Sequence, residues 1–566
     1  MISHVTSFKL VVLGSLLALF FVTTMFSQGA EVGDIGVISG SVQLDVQTYS
    51  EDTLIEAPAV NEKMLSNAFV NLLFTKGKFT AGLRFESYQN PLLGIDSRYG
   101  TSGEGTGLGI PYRFASYVDE TFEVTAGNFY EQFGTGMILR SYEERNLGFD
   151  NSIDGIRLRF IPLTGLRITG LIGRQRAFFE LSQGVMRGGD ISADFATLLD
   201  SLLPDDLQLR LGASVMSRYQ PDRNDFLKLP ENVLAWSLRS TIGWRDIALE
   251  TEYAYKINDP GVANSNSFNP GNALYASLSY TRPGLGINLA AKRIDNMDFR
   301  SDRSAGGLAQ QVNFLPPLAK QHSWRLITLY PYATQNTGEF GIQADIIFTI
   351  PKGSFLGLDE TVFSINFSKV NALDTTNVSP FRYESKLMWA PREYFRDLNI
   401  EVQRKWGKDF KTTLAFISVK YDQDIIQGLS SDTEKKYGVI SANLVVLELW
   451  LSVMRGHTLR SELQYMAVKH EPGVQFTTQN GSWIMGLLEY SVSPSWFFTV
   501  FDEYNYGNND PSLQVHYPSA SVAFVRDALR VQGGYGRVRG GLLCVGGICR
   551  PVPASNGFTL GVTYTF

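Results

Sequence analysis

Hydrophobic and polar side chains alternate one for one through many stretches of the chain, each about ten residues long. That is the period of a β-strand, whose successive side chains point to opposite faces. In residues 78–86, Phe79, Ala81, Leu83 and Phe85 share one face, while Lys78, Thr80, Arg84 and Glu86 share the other. In residues 247–256, Ile247, Leu249, Tyr253 and Tyr255 oppose Glu250, Glu252 and Lys256. Residues 398–406 set Leu398, Ile400, Val402 and Trp406 against Asn399, Glu401, Gln403 and Lys405, with Arg404 interrupting the apolar side. Residues 459–467 set Leu459, Leu463 and Tyr465 against Arg460, Glu462 and Gln464. The chain ends in the same rhythm: Phe558, Leu560, Val562, Tyr564 and Phe566 alternate with Thr559, Gly561, Thr563 and Thr565.

Segments of about 9–11 residues, apolar outward and polar inward, suit the wall of a membrane barrel. The connections are uneven in the same sense. Some are very tight, at Lys76-Gly77, Asp119-Glu120, Pro162 to Gly165, Arg282 to Gly284, Gly407 to Asp409, Ser493-Pro494 and Arg526-Asp527. Others, at residues 89–111, 294–322 and 471–481, are long and polar. Short turns on one rim and long loops on the other is the expected asymmetry. The pattern predicts an all-β fold, a large transmembrane antiparallel β-barrel of about 24–26 strands. Strand parity stays open in residues 330–391 and 445–454. A soluble β-sandwich or β-solenoid also alternates. Opposed charges in mid-strand, apolar faces rich in Tyr, Phe and Trp, and the aromatic last strand weigh against it. That last strand resembles the terminal signal of outer-membrane barrels.

Composition agrees. Charged residues make up 19% of the chain, below the roughly 25% of an average soluble domain. The chain also carries 37 Phe, 25 Tyr and 53 Gly. The net charge of −6 argues against a nucleic-acid partner, which would favour a basic stripe. Lys9 precedes an apolar run from Leu10 to Phe26 and the small or polar residues Ser27, Gln28, Gly29 and Ala30. Residues 1–29 are therefore expected to be a cleaved signal peptide rather than a membrane anchor, and residues 30–566 one barrel domain.

Enzyme motifs are missing: there is no G-x-S-x-G, no G-x-x-x-x-G-K-[ST] and no H-E-x-x-H, so no catalytic, cofactor-binding or metal role is assigned. Cys544 and Cys549, the only cysteines, are expected to form a disulfide in an exported chain. The densest polar constellation runs over residues 127–187. It contains Tyr130, Glu131, Gln132, Arg140, Tyr142, Glu143, Glu144, Arg145, Asp150, Asn151, Asp154, Arg174, Arg176 and Arg187. Charge facing lipid costs a few kcal/mol per group. These residues are therefore expected in the lumen or in a loop folded into it, as an internal plug or a constriction. A calcium site at Glu143, Glu144, Asp150 and Asp154 is conceivable, but its spacing matches no EF-hand.

Residues 127–145, Leu488 to Tyr490, Trp496 to Phe498, Asp502 to Gly507, Cys544 to Arg550 and Val552 to Ala554 together resemble a family of large outer-membrane barrels of the Bacteroidota type. The resemblance covers most of the chain. It implies the fold and a place in the outer membrane of a Gram-negative bacterium, in contact with outer-membrane lipid. It carries over no functional residue. Two functions stay open: a porin-like or plugged solute channel, and an accessory barrel docking a partner lipoprotein, a periplasmic protein or a secretion or assembly complex.

Overall fold

In the computed structural model the alternating segments close into one antiparallel barrel. The structure describes residues 30–566 except 32–34, 63, 104, 201, 308, 354–359, 429–435 and 476–478, so the expected signal peptide lies outside the described residues. The main sheet has 25 strands; one is the two-residue strand Ala30–Glu31, which leaves 24 in the wall. Each wall strand pairs with its sequence neighbours. The first, Val37–Thr48, pairs with the last, Ser555–Thr565, in the register Ser41 to Thr565 and Gln47 to Thr559. Phe566 and Gly40 exchange both backbone hydrogen bonds at this seam, at 2.8 and 2.9 Å. Ring closure leaves no unpaired sheet edge, which is the condition for crossing lipid with strands.

The strand period sorts the side chains as expected. On Ile153–Leu163, Ile156, Leu158 and Phe160 are about half exposed on the outside, while Ile153 and Arg157 point in and are buried. The two-residue turns after Ala177 and Ser379 lie on one rim; the tight connections expected from the sequence fall on the other, as between Lys76 and Phe79, Val118 and Phe122, Arg282 and Leu285, Lys405 and Phe410, or Arg526 and Leu529. Trp244, Trp406 and Trp496 are exposed beside that rim, in the manner of an interfacial aromatic girdle. The opposite rim carries the long connections, including residues 130–152 and 296–337.

Both regions of open parity have physical causes. Thr361–Ser379 and Arg382–Lys405 form a hairpin far longer than the wall, with register shifts near Val370, Leu373 and Thr375. On Val439–Met454 the inward Ile440, Ala442, Leu444 and Val446 are as apolar as the outward face, because they are buried in the larger hydrophobic cluster inside the barrel.

Candidate functional site in the lumen

Two loops from the long-loop rim fold down into the barrel and fill its upper part. The first spans residues 130–152. Its Phe133, Met137, Ile138 and Leu139 pack on inward Leu171, Met186, Met216, Val233 and Ala235, each of the four loop side chains no more than 1% exposed. The second spans residues 296–337. Met297, Phe299, Val312 and Leu315 join the same cluster. Trp324, Leu326, Ile327, Leu329, Tyr330 and Tyr332 pack the other way, on Phe395, Ile417, Tyr421, Leu444, Met466 and Trp483. The first filler thus serves as core for one side of the wall, and the second for both. They join through Arg140 N–H to the Val312 carbonyl at 2.9 Å and Asn151 Nδ2 to the Gln311 carbonyl at 2.9 Å.

Charged networks fix the first loop to the wall. Arg176 donates to Glu86 through Nη2 and to Asp150 through Nη1, both at 2.6 Å. Arg84 bridges Glu86 at 2.7 Å, Glu143 at 2.8 Å and Asp150. Arg145 donates to Glu143 at 2.6 Å and to Gln43 Oε1 at 2.7 Å. Burial opposes ionisation of Asp150, yet Arg176 and Arg84 beside it, with the Ser152 amide, hold its carboxyl below the ordinary value of 3.8. A second network pairs Glu131 with Arg159 at 2.7 Å and Arg157 at 3.5 Å, and Glu123 with both arginines. Opposite them, the Thr135 amide donates to Glu252 Oε2 at 2.7 Å.

The remaining residues singled out in this stretch sort into three groups. Tyr130 stacks on Tyr112 at 5.4 Å, and Tyr142 packs on Phe149 at 5.0 Å. Arg140 lies over the Phe314 and Tyr142 rings at 4.0 and 4.6 Å. Asn151 accepts from the Tyr142 amide at 2.6 Å. Gln132 is exposed and donates to the Gly134 carbonyl, and Glu144 caps the turn at Arg145–Leu147, so neither joins the ion networks. Asp154, Arg174 and Arg187 are corrections. They share the outward parity of Ile156, Ile172 and Ile191 and face away from the lumen, Asp154 against Arg113 at 3.1 Å and Arg187 exposed. Asp154 and Arg174 lie towards the long-loop ends of their strands, whereas Arg187 lies mid-strand, paired in register with Ile172.

The second filler is not plainly marked as such in the sequence, where residues 294–322 have the look of a long polar connection. Its signal is the apolar run Trp324-Arg-Leu-Ile-Thr-Leu-Tyr330. Its polar anchors lie just before that run and at its second position. His322 Nε2 lies 2.8 Å from Asp397, Lys320 lies 3.7 Å from Glu401, and Arg325 pairs with the fully buried Glu503. Arg539 donates to Glu503 and to the Arg325 carbonyl at 2.7 and 2.6 Å. Lys292 and Glu339, both 0% exposed, pair at 2.7 Å beneath Tyr332. Above the fillers, Gly541–Val545 and Ile548–Val552 form a hairpin closed by the Cys544–Cys549 disulfide. Its turn glycines, Gly546 and Gly547, have φ of 57° and 77°, values that suit a tight hairpin turn. The Gly547 carbonyl accepts from the Thr334 amide at 3.2 Å, and Arg550 donates to the Asn146 carbonyl at 2.8 Å, so the hairpin touches both fillers. Among the described residues, no three His, Cys, Asp or Glu side chains converge as a metal site would.

The sequence profile described as a family of unknown function (DUF6029) matches residues 9–566. The chain belongs to that family. No curated protein matches it. Among solved structures it is similar to the translocation pore of the P pilus usher PapC, at 9% identity and TM-score 0.44, covering 93% of this chain and 98% of that one. It is similar to the copper transporter OprC at 10% identity and TM-score 0.40, over 95% and 81% of the two chains. The siderophore receptor PirA from Pseudomonas aeruginosa matches at 9% identity and TM-score 0.38, over 94% and 80%. None of these likenesses bears on what this chain binds.

Proposed function

We propose that this protein spans the outer membrane of a Gram-negative bacterium as a solute channel whose upper lumen is closed by its own loops. The observation that carries the reading is the inversion of the barrel. Its outer wall exposes large apolar side chains on nearly every strand, while its interior holds two packed fillers. So extensive an apolar exterior calls for an apolar solvent. Barrels of about 22 strands already need a plugged lumen, and this ring is wider. Residues 1–29 would direct export, and residues 30–566 would form the one barrel domain. The family resemblance supports placing it with the Bacteroidota type. The arrangement supports transport rather than catalysis.

Planar-bilayer recording tests the reading, with the intact chain beside one lacking residues 130–151. The intact barrel is expected to conduct little and the deletion to conduct steadily. No conductance from either would overturn the channel reading.

A second reading, an accessory barrel that docks a partner protein, is favoured by the long hairpin. Val378, Leu387 and Met388 at its outer end are 62%, 81% and 61% exposed. Purification in mild detergent decides between the two, because a chain that always migrates alone counts against docking.

A further inference from the structure

Four cations stand in one row across five adjacent wall strands, on the outer face. The register places Lys369 opposite Arg396, Arg396 opposite Lys420, Lys420 opposite Ser441, and Ser441 opposite Lys469. All share the parity of outward Ile365, Ile400, Phe416, Val445 and Tyr465, whose side chains are 39–51% exposed. The side chains of Lys369, Arg396 and Lys420 are 34%, 50% and 37% exposed, and Lys469 is exposed. One carboxylate serves the first three: Glu393 lies 3.6 Å from Lys369, 3.8 Å from Arg396 and 3.1 Å from Lys420. Asp422, nearby, is paired with Arg392 at 3.0 Å, and Glu471 accepts the Val439 amide at 3.3 Å. The row therefore keeps an excess of positive charge.

Like charges directly opposite one another on neighbouring strands destabilise a sheet. A row of them needs a compensating anion. Its height says which kind. Below Lys420 the same face runs through Ser418, Phe416, Leu414 and Thr412 to Phe410, next to Trp406 at the short-turn rim. Ten residues of tilted strand climb roughly 25 Å, the height of the apolar band of a membrane barrel. The row thus sits at the upper edge of that band, where the headgroups of the outer leaflet lie. Lysine and arginine bind phosphate through charge-assisted hydrogen bonds, and arginine does so bidentately.

We infer that Lys369, Arg396, Lys420 and Lys469 form a binding site for the phosphate groups of a phosphorylated glycolipid in the outer leaflet. The inference rests on the membrane-spanning reading above. A multiply phosphorylated headgroup spans several strands at once, neutralises the row and leaves its acyl chains against Phe367, Ile365, Leu398 and Ile400.

The test uses the full chain in detergent, with binding measured for a bis-phosphorylated glycolipid, the same glycolipid dephosphorylated, and inorganic phosphate. Lys369, Arg396, Lys420 and Lys469 are each changed to Gln, and Lys386→Gln, outside the row, is the control. The expected result is at least roughly tenfold weaker binding of the phosphorylated lipid by the row variant. The control should be unchanged, and the other two ligands should bind weakly to every form. Equal binding by the wild type and the row variant overturns the inference. So does equal binding of the dephosphorylated lipid, or tight binding of inorganic phosphate alone. If the fourfold variant does not fold, Arg396→Gln with Lys469→Gln replaces it under the same criteria. Membrane fractionation separates the two proposals. Absence from the outer membrane sinks the location, whereas presence there with unchanged lipid binding sinks only this site.

Discussion

Arg176 and Glu86, 90 positions apart in sequence, meet at 2.6 Å with side chains each 1% exposed. They sit on different wall strands, and Asp150 of the first filler completes the group. Removing one member of a buried ion network leaves uncompensated charge, at a cost of about 3–5 kcal/mol. Arg176→Met is therefore expected to loosen residues 130–152 severely, and Arg176→Met with Glu86→Gln to loosen them less. Limited proteolysis of the loop in detergent checks this. Equal resistance of the single variant and the wild type would contradict it.

Acid should act on the same loop. The Asp150 carboxyl is held below its ordinary 3.8 in the folded chain. Its contribution to stability is complete above that value and is lost as pH falls below it through the folded-state value. Conductance is expected to stay low down to a pH of about 4 and to rise below it. Asp150→Asn should conduct at neutral pH. A transition centred near pH 6, or a silent Asp150→Asn channel, would show that another group controls closure.

Gly134 offers a lighter touch. Its φ is +55°, and a Cβ there would lie 2.5 Å from Glu252 Oε2. A β-branched side chain would strain the backbone by about 1–3 kcal/mol and push away the carboxylate that Thr135 donates to. Gly134→Val should therefore raise the open probability in bilayer recordings, with the barrel still assembled.

The disulfide hairpin should matter locally. Closing so short a loop is worth about 2 kcal/mol in the chain-entropy picture. Cys544→Ser with Cys549→Ser is expected to leave barrel assembly intact while exposing residues 541–552 to protease. Failure of the barrel to assemble would assign the bridge a larger part.

Deleting residues 558–566 removes most of the strand that pairs with both Val37–Thr48 and Leu529–Val538. The truncated chain is expected to yield no heat-modifiable barrel. Normal insertion would refute the seam described above.

The wall was legible because alternation and tight turns are local signals: Ile247–Lys256 follows the alternation over most of its length, and Leu285–Asp295 follows it until Arg293, which faces out, and Ile294, which is buried inside. The lumen was only half legible. Glu143, Arg145, Asp150 and Arg176 meet in one network and Glu131 enters a second, but the wall partners Arg84 and Glu86, Glu123, and Arg157 and Arg159 come from three different strands, and only the ring brings them to the loop. Arg174 shows the converse. A register shift separates it from Arg176, so two arginines two positions apart face different surroundings. One residue of slip exchanges the faces of a strand, and charge density along the sequence cannot report it. The second filler was hidden because its anchors, Asp397, Gln464 and Glu503, come from strands well beyond it.

Each filler joins two neighbouring wall strands, Phe122–Phe129 to Ile153–Leu163 and Leu285–Asp295 to Gly338–Ile350. Each is therefore on a double leash, held at both ends to the same rim. Neither can be ejected as a loose stopper can. Any passage must come from the leashed segments swinging up towards the outside or sliding against each other, and afterwards the same leashes return them. Such a gate would answer to forces applied from its own rim and reset without help.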